Sequence, residues 1–155
     1  MSARIDYNKA LNAVPELYAA MTAMEKAMQE SGLEKSLIHL IKLRASQING
    51  CAFCVHMHTR EARAHGETEE RLHLLTTWWE SNYFTDRERA ALAWTDSLTL
   101  LAQTRAPDDV YAQLKAQFDD AEILKVSFCI TTINAWNRLA VGMRFQHPKS
   151  WKVAA

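Results

Sequence analysis

The chain has 155 residues, 48% of them apolar and 23% charged, which is the balance of one ordinary domain with enough apolar residues to bury a core. Eighteen basic residues offset eighteen acidic ones, and no basic arm or stripe with interleaved aromatics is present, which argues against a nucleic-acid partner held by phosphate charge. The stretch Met1–Tyr7 lacks the apolar core of a secretory leader, and no run approaches the roughly 18–20 apolar residues of a spanning helix, so we expect a single cytoplasmic domain over residues 1–155 without membrane contact.

Four glycines and three prolines fall mostly where helices should start or stop, and no sustained apolar alternation marks a strand, so the pattern predicts an all-α fold of about seven helices. The first runs from about Pro15 through Leu17, Met21, Met24 and Met28 to Gly32. A second runs from Glu34 or Ser36 through Leu37, Leu40 and Ile41 until Asn49-Gly50 ends it, and a third, central helix opens at Cys51 and closes at Gly66. Thr68 caps a fourth through Leu72, Leu75 and Trp78, and the capping box Thr85-Asp86-Arg87-Glu88 opens a fifth through Ala91, Trp94, Leu98 and Leu101. Pro107 opens a short helix through Tyr111, Leu114 and Phe118. Asp119 with Glu122 caps the last, Ala121 to about Arg144, whose end His147-Pro148 marks. That helix is apolar over most of its circumference from Ile123 to Ile133, which predicts a contact with another subunit.

Three cysteines are an odd number and too few for a disulfide scaffold, so a close pair in a reducing compartment points to redox or metal chemistry. The pair is Cys51-Ala-Phe-Cys54, followed by Val-His-Met-His58. At 100° per residue, Cys54 and His58 lie within about 60° of Cys51 on one helical stripe, giving two thiols and a proton acceptor together. A helix start and a neighbouring imidazole both favour the thiolate, the form that attacks. One thiolate can take the terminal oxygen of a hydroperoxide and become a sulfenic acid, which the other cysteine converts to a disulfide. Nearness to the helix terminus favours Cys51 as nucleophile and contact with His58 favours Cys54; the spacing leaves both open.

Zinc is the rival chemistry, since Cys51, Cys54 and His58 with His39 or His56 could fill a tetrahedron, but no second cysteine pair follows. His56 lies about 100–160° off the stripe and reads as a surface or interface residue. His39, twelve residues before Cys51, can fold back toward the site in a helical hairpin. Cys129, Trp78, Trp79 and Trp94 read as core or interface packing, His65, His73 and His147 as solvated or capping residues, and the polar stretch Asn134 to Arg138 as a structural network across subunits.

The segment Leu40-Ile-Lys-Leu-Arg-Ala-Ser-Gln-Ile-Asn-Gly-Cys51-Ala-Phe-Cys54-Val-His-Met-His58 closely resembles the core motif of the AhpD-like alkylhydroperoxidases of the carboxymuconolactone decarboxylase family, and Ile133 to Leu139 resembles its members of about this length. The resemblance implies an all-helical fold assembled as a homotrimer or homohexamer and a peroxidase free of haem, metal or other cofactor. It assigns attack to Cys54, resolution to Cys51 and proton transfer to His58, with reduction by a lipoylated or thioredoxin-like dithiol protein. Two positions depart from the pattern: His39 stands where a relay carboxylate is expected, and Phe53 where a relay histidine precedes the second cysteine. Glu34 is a candidate for the missing carboxylate. The alternatives are a non-enzymatic redox-sensing or assembly module, or a thiol–disulfide oxidoreductase with a non-peroxide substrate.

Overall fold

The computed structural model describes residues 2–147, and among these every regular element is helical. The helices are α1 (Tyr7–Ala13), α2 (Pro15–Gln29), α3 (Lys35–Ile48), α4 (Ala52–Ala64), α5 (Glu69–Leu74) running into a 3₁₀ segment (Leu75–Glu80), α6 (Asp86–Thr99), α7 (Leu101–Thr104), α8 (Asp108–Lys115) and α9 (Asp120–Met143). The predicted starts at Pro15, Thr68, Thr85, Pro107 and Asp119 are all present. Both capping boxes close: the Thr85 and Asp119 side chains accept from the backbone of Glu88 and Glu122, whose carboxylates return to the cap N–H groups.

Three elements differ from expectation. The sequence reading left out α1, which Asp6 caps by accepting from the N–H groups of Asn8 and Lys9. Its apolar stripe is barely two turns long, and its partners Phe53 and Phe145 are remote in sequence. The helix from Asp86 stops at Thr99 rather than continuing through Leu101. There Thr104 Oγ donates to the Ser97 carbonyl at 2.7 Å, and Arg105 and Ala106 take left-handed φ of 57° and 49° before Pro107. The segment through Trp78 tightens into a 3₁₀ turn. The last helix ends at Met143 with left-handed Arg144; Pro148 lies outside the described residues.

The innermost helix is α3. It packs on α4, α6 and α9 and buries Leu37 through Leu43 without a break, then Ala45 and Ser46. Each such aliphatic side chain stabilises the fold by about 1.5–3 kcal/mol. Lys42 lies within this run with 1% exposure, and its ammonium is paired with Glu25 of α2. On one side α3 and α9 share a core of Ile38, Ile41, Val126, Cys129 and Ile130 with α6 and α8. Cys129 is a packing residue, and its sealed surroundings push its thiol up to about 12.

A buried polar network fixes how α3 ends. The Asn49 amide donates to Asn134 Oδ1 at 3.0 Å and to Asn137 Oδ1 at 2.9 Å; Asn137 donates to Ser46 Oγ at 3.1 Å, and Asn134 donates to Thr99 Oγ1 at 3.0 Å. Arg138 donates to Asn134 Oδ1 at 2.8 Å. The polar stretch expected to bridge subunits therefore satisfies itself inside one chain, tying α9 and α6 to the end of α3. Gly50 follows with φ 65°, the Gly50 N–H donates to the Gln47 carbonyl, and the Cys51 N–H donates to the Ser46 carbonyl, which together form a Schellman stop.

No helix among the described residues is long and apolar enough to cross a membrane. Leu124 and Phe128 of α9 are 59% and 52% exposed, and Phe128 lines a shallow hollow with Met24 and Met28 of α2.

Replacing Asn137 by Ala strips Ser46 and Asn49 of buried partners and should cost about 1–3 kcal/mol of unfolding free energy, read from the urea midpoint. An unchanged midpoint would show that water or repacking replaces the network.

Candidate active site

Cys51 is not the first residue of α4 but its N-cap. It has extended φ and ψ (−83°, 90°), and its Sγ accepts from the Cys54 N–H at 3.3 Å. Cys54 is thus the third helical residue, and the two cysteines are joined as a disulfide with Cα atoms 5.3 Å apart, inside the normal range for such a bridge. Two residues within one regular helix would hold their sulfurs too far apart. Placing one outside the helix, after Gly50, removes that conflict.

The two cysteines line different hollows. Cys54 lines a cavity of about 250 Å³ together with His58 and Glu61 of α4, Thr22, Glu25 and Gln29 of α2, and an apolar wall that includes Tyr7, Phe53, Met57, Ile133, Trp136 and Phe145. Tyr7 packs against Phe53 and Phe145 with ring centroids 5.8 and 5.2 Å apart, so α1 and the chain beyond α9 close one side of this cavity. Cys51 lines a second groove with Gly50, Ala52, Val141, Arg144 and His147. Both sulfurs are almost fully buried, at 1% and 2% exposure.

His58 is buried one turn beyond Cys54, and its Nδ1 is 2.8 Å from Glu61 Oε2. Burial alone would raise the Glu61 carboxyl, but the hydrogen bond from His58 and the charges of His58, His39 and Lys42 outweigh it and hold the group below the usual carboxylate range. An ionised Glu61 accepts from Nδ1–H, which leaves Nε2 with its lone pair toward the cavity and no hydrogen-bond partner among the described residues. The site therefore contains a carboxylate–imidazole pair beside a cysteine.

Glu61 is the residue the sequence reading missed, although its spacing of three from His58 on one helix face was a usable signal. Glu34, considered as the carboxylate instead, is corrected: its oxygens accept from Arg87 Nε and Nη2 at 2.8 and 3.2 Å on the outer surface, and that hydrogen bond holds its carboxyl below the usual carboxylate range. Trp136 and Phe145 also went unnoticed as cavity walls, because only tertiary contact brings them to Cys54.

His39 does fold back onto α4 through the α3–α4 hairpin, but not into the cavity of Cys54 and His58. It lines a separate hollow with His65 and Arg71, its ring 4.6 Å from that of His65. Burial first, then the neighbouring His65 charge, push it down to about 4 against the pull of Glu61. His65 caps α4, its Nδ1 2.9 Å from the Glu61 carbonyl. His56 stands away from the Cys54 cavity, against His147 at 4.8 Å. Trp78 donates to Asp96 Oδ2 and Trp94 to Ser127 Oγ, both as packing residues. Among the described residues no group of three or more His, Cys, Asp or Glu is arranged to hold a metal ion.

A family model for the carboxymuconolactone decarboxylase family matches residues 15–97. The uncharacterised protein YdfG of Bacillus subtilis (strain 168) is 38% identical over 143 residues, 92% of this chain and 95% of that protein. The chain belongs to the carboxymuconolactone decarboxylase family. A solved relative, ATU0492 of Agrobacterium tumefaciens, of unknown function and suggested to be the antioxidant defence protein AhpD, is 50% identical with a TM-score of 0.92 over 96% of this chain and all (100%) of that one. The same fold carries the debrominase Bmp8, at 18% identity and a TM-score of 0.80 over 90% of this chain and 75% of that one. It also carries a peroxidase-related protein of Silicibacter sp. TM1040, at 22% identity and a TM-score of 0.78 over 91% of this chain and 76% of that one.

His39 sets a pH dependence that can be checked. Its folded value near 4 lies below its ordinary 6.5, so the unfolded chain binds the extra proton first. Stability should be complete above pH 6.5 and fall toward pH 4. In His39→Gln, thermal melting across that window should be flatter than in the parent; an equal slope would assign the effect elsewhere.

Proposed function

We propose that this protein reduces hydroperoxides by a dithiol cycle in which Cys54 attacks, Cys51 resolves, and His58, oriented by Glu61, moves the proton. The observation that carries the reading is that Cys54, and not Cys51, shares a cavity with the His58–Glu61 pair. His58 Nε2 takes the Cys54 proton, and the thiolate attacks the terminal peroxide oxygen. The O–O bond breaks, Cys54 becomes a sulfenic acid, and the proton leaves with the departing alcohol. The Cys51 thiol then displaces water from the Cys54 sulfur and the disulfide forms, so one hydroperoxide and two thiols yield one alcohol, one water and one disulfide. A dithiol protein, lipoylated or thioredoxin-like, returns the pair to the reduced state. The apolar aromatic wall suits an organic hydroperoxide better than a fully hydrated one.

Glu61 takes over, from a different position on the same site, the part that the family motif would give to residue 39. His39 keeps an indirect role, because it lines a different hollow from Cys54 and acts on the His58–Glu61 pair through charge alone.

In steady-state assays with cumene hydroperoxide and a dithiol reductant, Cys54→Ser should abolish turnover, and His58→Gln should slow Cys54 oxidation about a hundredfold, with Glu61→Gln slower by about tenfold. Normal turnover by Cys54→Ser would remove the assigned nucleophile. Stoichiometric oxidation without turnover would favour a redox-sensing module instead.

The exposed apolar face of α2 and α9 supports assembly as a homotrimer or homohexamer. Light scattering of Phe128→Glu should then report a smaller species than the parent protein; identical masses would place any interface elsewhere.

A further inference from the structure

The two faces of the disulfide differ in charge: the cavity's carboxylates are paired, while the groove is basic. Glu25 and Glu61 are the charged groups lining the Cys54 cavity besides His58; the Lys42 ammonium balances the first, and the second is bound to His58. The groove at Cys51 has Arg144 and His147 in its lining and, among the described residues, no carboxylate. Arg4 stands at the same end of α9, its Nη1 2.9 Å from the Gly142 carbonyl and its N–H 2.9 Å from that of Met143, which offsets the negative end of that helix. Phe53, Ala140 and Phe145 are common to both linings and form the partition between them.

Disulfide exchange is directional. The attacking thiolate approaches one sulfur from the side opposite its partner, so attack on Cys51 comes through the groove and attack on Cys54 through the cavity. A hydroperoxide is neutral near pH 7 and suits the cavity, whereas a thiolate is an anion and is drawn to the basic groove. Cys51 is 1% exposed at the bottom of that groove, so a sulfur fixed on the flat face of a globular protein does not reach it, while a narrow chain does.

Building on the dithiol cycle proposed above, we infer that the groove between the Gly50 turn and the end of α9 is the reductant site, where a slender aliphatic dithiol attacks Cys51 while hydroperoxide uses the opposite cavity. The incoming thiolate, its proton already lost to solvent, bonds to Cys51 Sγ, the Cys51–Cys54 bond breaks, and Cys54 leaves as a thiolate that takes up a solvent proton by way of His58 Nε2. The second thiol of the carrier then attacks the carrier sulfur of the mixed disulfide and loses its proton to solvent. Cys51 is released as a thiolate that is protonated, and the carrier leaves as a disulfide. The carrier loses two electrons and the protein gains them.

Separate half-reactions test this. Reduced full-length protein is mixed with cumene hydroperoxide, and protein oxidised with diamide is mixed with dihydrolipoamide or dithiothreitol; both are quenched in acid and read by alkylation and intact mass. Val141→Trp, which fills the groove, and Arg144→Glu, which reverses its charge, should each slow reduction about tenfold or more at low salt and change oxidation by less than about twofold. Met57→Trp, on the cavity side, should slow oxidation and spare reduction. Arg144→Glu exchanges one charged, half-buried side chain for another and carries the test if Val141→Trp misfolds. A smaller effect on reduction in a folded variant, equal slowing of both half-reactions, or reduction blocked by Met57→Trp overturns the inference, as does faster reduction by a thioredoxin-type protein than by either small dithiol. If hydroperoxide fails to oxidise the parent protein, the function proposed above falls, while diamide-oxidised protein still reports on the groove.

Discussion

The hydrogen bonds around Asn49 are what the rest of the molecule depends on. One side-chain amide, held by two asparagines of α9, stops α3 at a chosen residue and hands the chain to Gly50, whose left-handed backbone turns it into α4. Because the network is buried, a slip of one residue would leave several polar groups without partners, each costing about 1–3 kcal/mol. The start of α4 is thereby fixed to a single residue. Since the position of Cys51 outside the helix is what lets its sulfur meet that of Cys54, the redox pair inherits its geometry from amides that take no part in the chemistry.

Burial divides the histidines into roles. His58 and His39 are both nearly sealed from solvent, yet one is bound to a carboxylate and the other faces a second imidazole. A carboxylate partner favours a protonated nitrogen and a basic opposite edge, while an imidazole neighbour in a dry hollow disfavours charge altogether. The same residue type on two packed helices therefore gives a proton-transfer group in one place and a neutral filler in another. Position 39, where the family motif leads one to expect a carboxylate, can be neutral because Glu61 brings the negative charge to His58 from within its own helix.

Much of this was written in local sequence. The helix starts at Thr68, Thr85 and Asp119 rest on side chains that reach only three residues, so their signals are complete in a short window. The Cys51, Cys54 and His58 stripe is likewise local. Glu61 is equally local, three residues past His58 on one helix face, whereas the family pattern places its acid upstream. The cavity walls were not legible: Tyr7, Trp136 and Phe145 meet Phe53 only after α1 and α9 have folded across α4, and periodicity within each segment holds no record of that meeting. The polar run at the centre of α9 announced that partners must exist, but not that they would be the last turn of α3.

The sulfur of Cys51 serves two structural states with one posture. As the capping atom of α4 it receives an early N–H of that helix, a duty that a bonded sulfur and a free thiolate can both perform. Opening and closing the bridge thus need not unravel the first turn, and the surrounding packing can stay in place through each cycle. A switch that keeps its frame still spends little on rearrangement and returns to its starting shape without having to fold again.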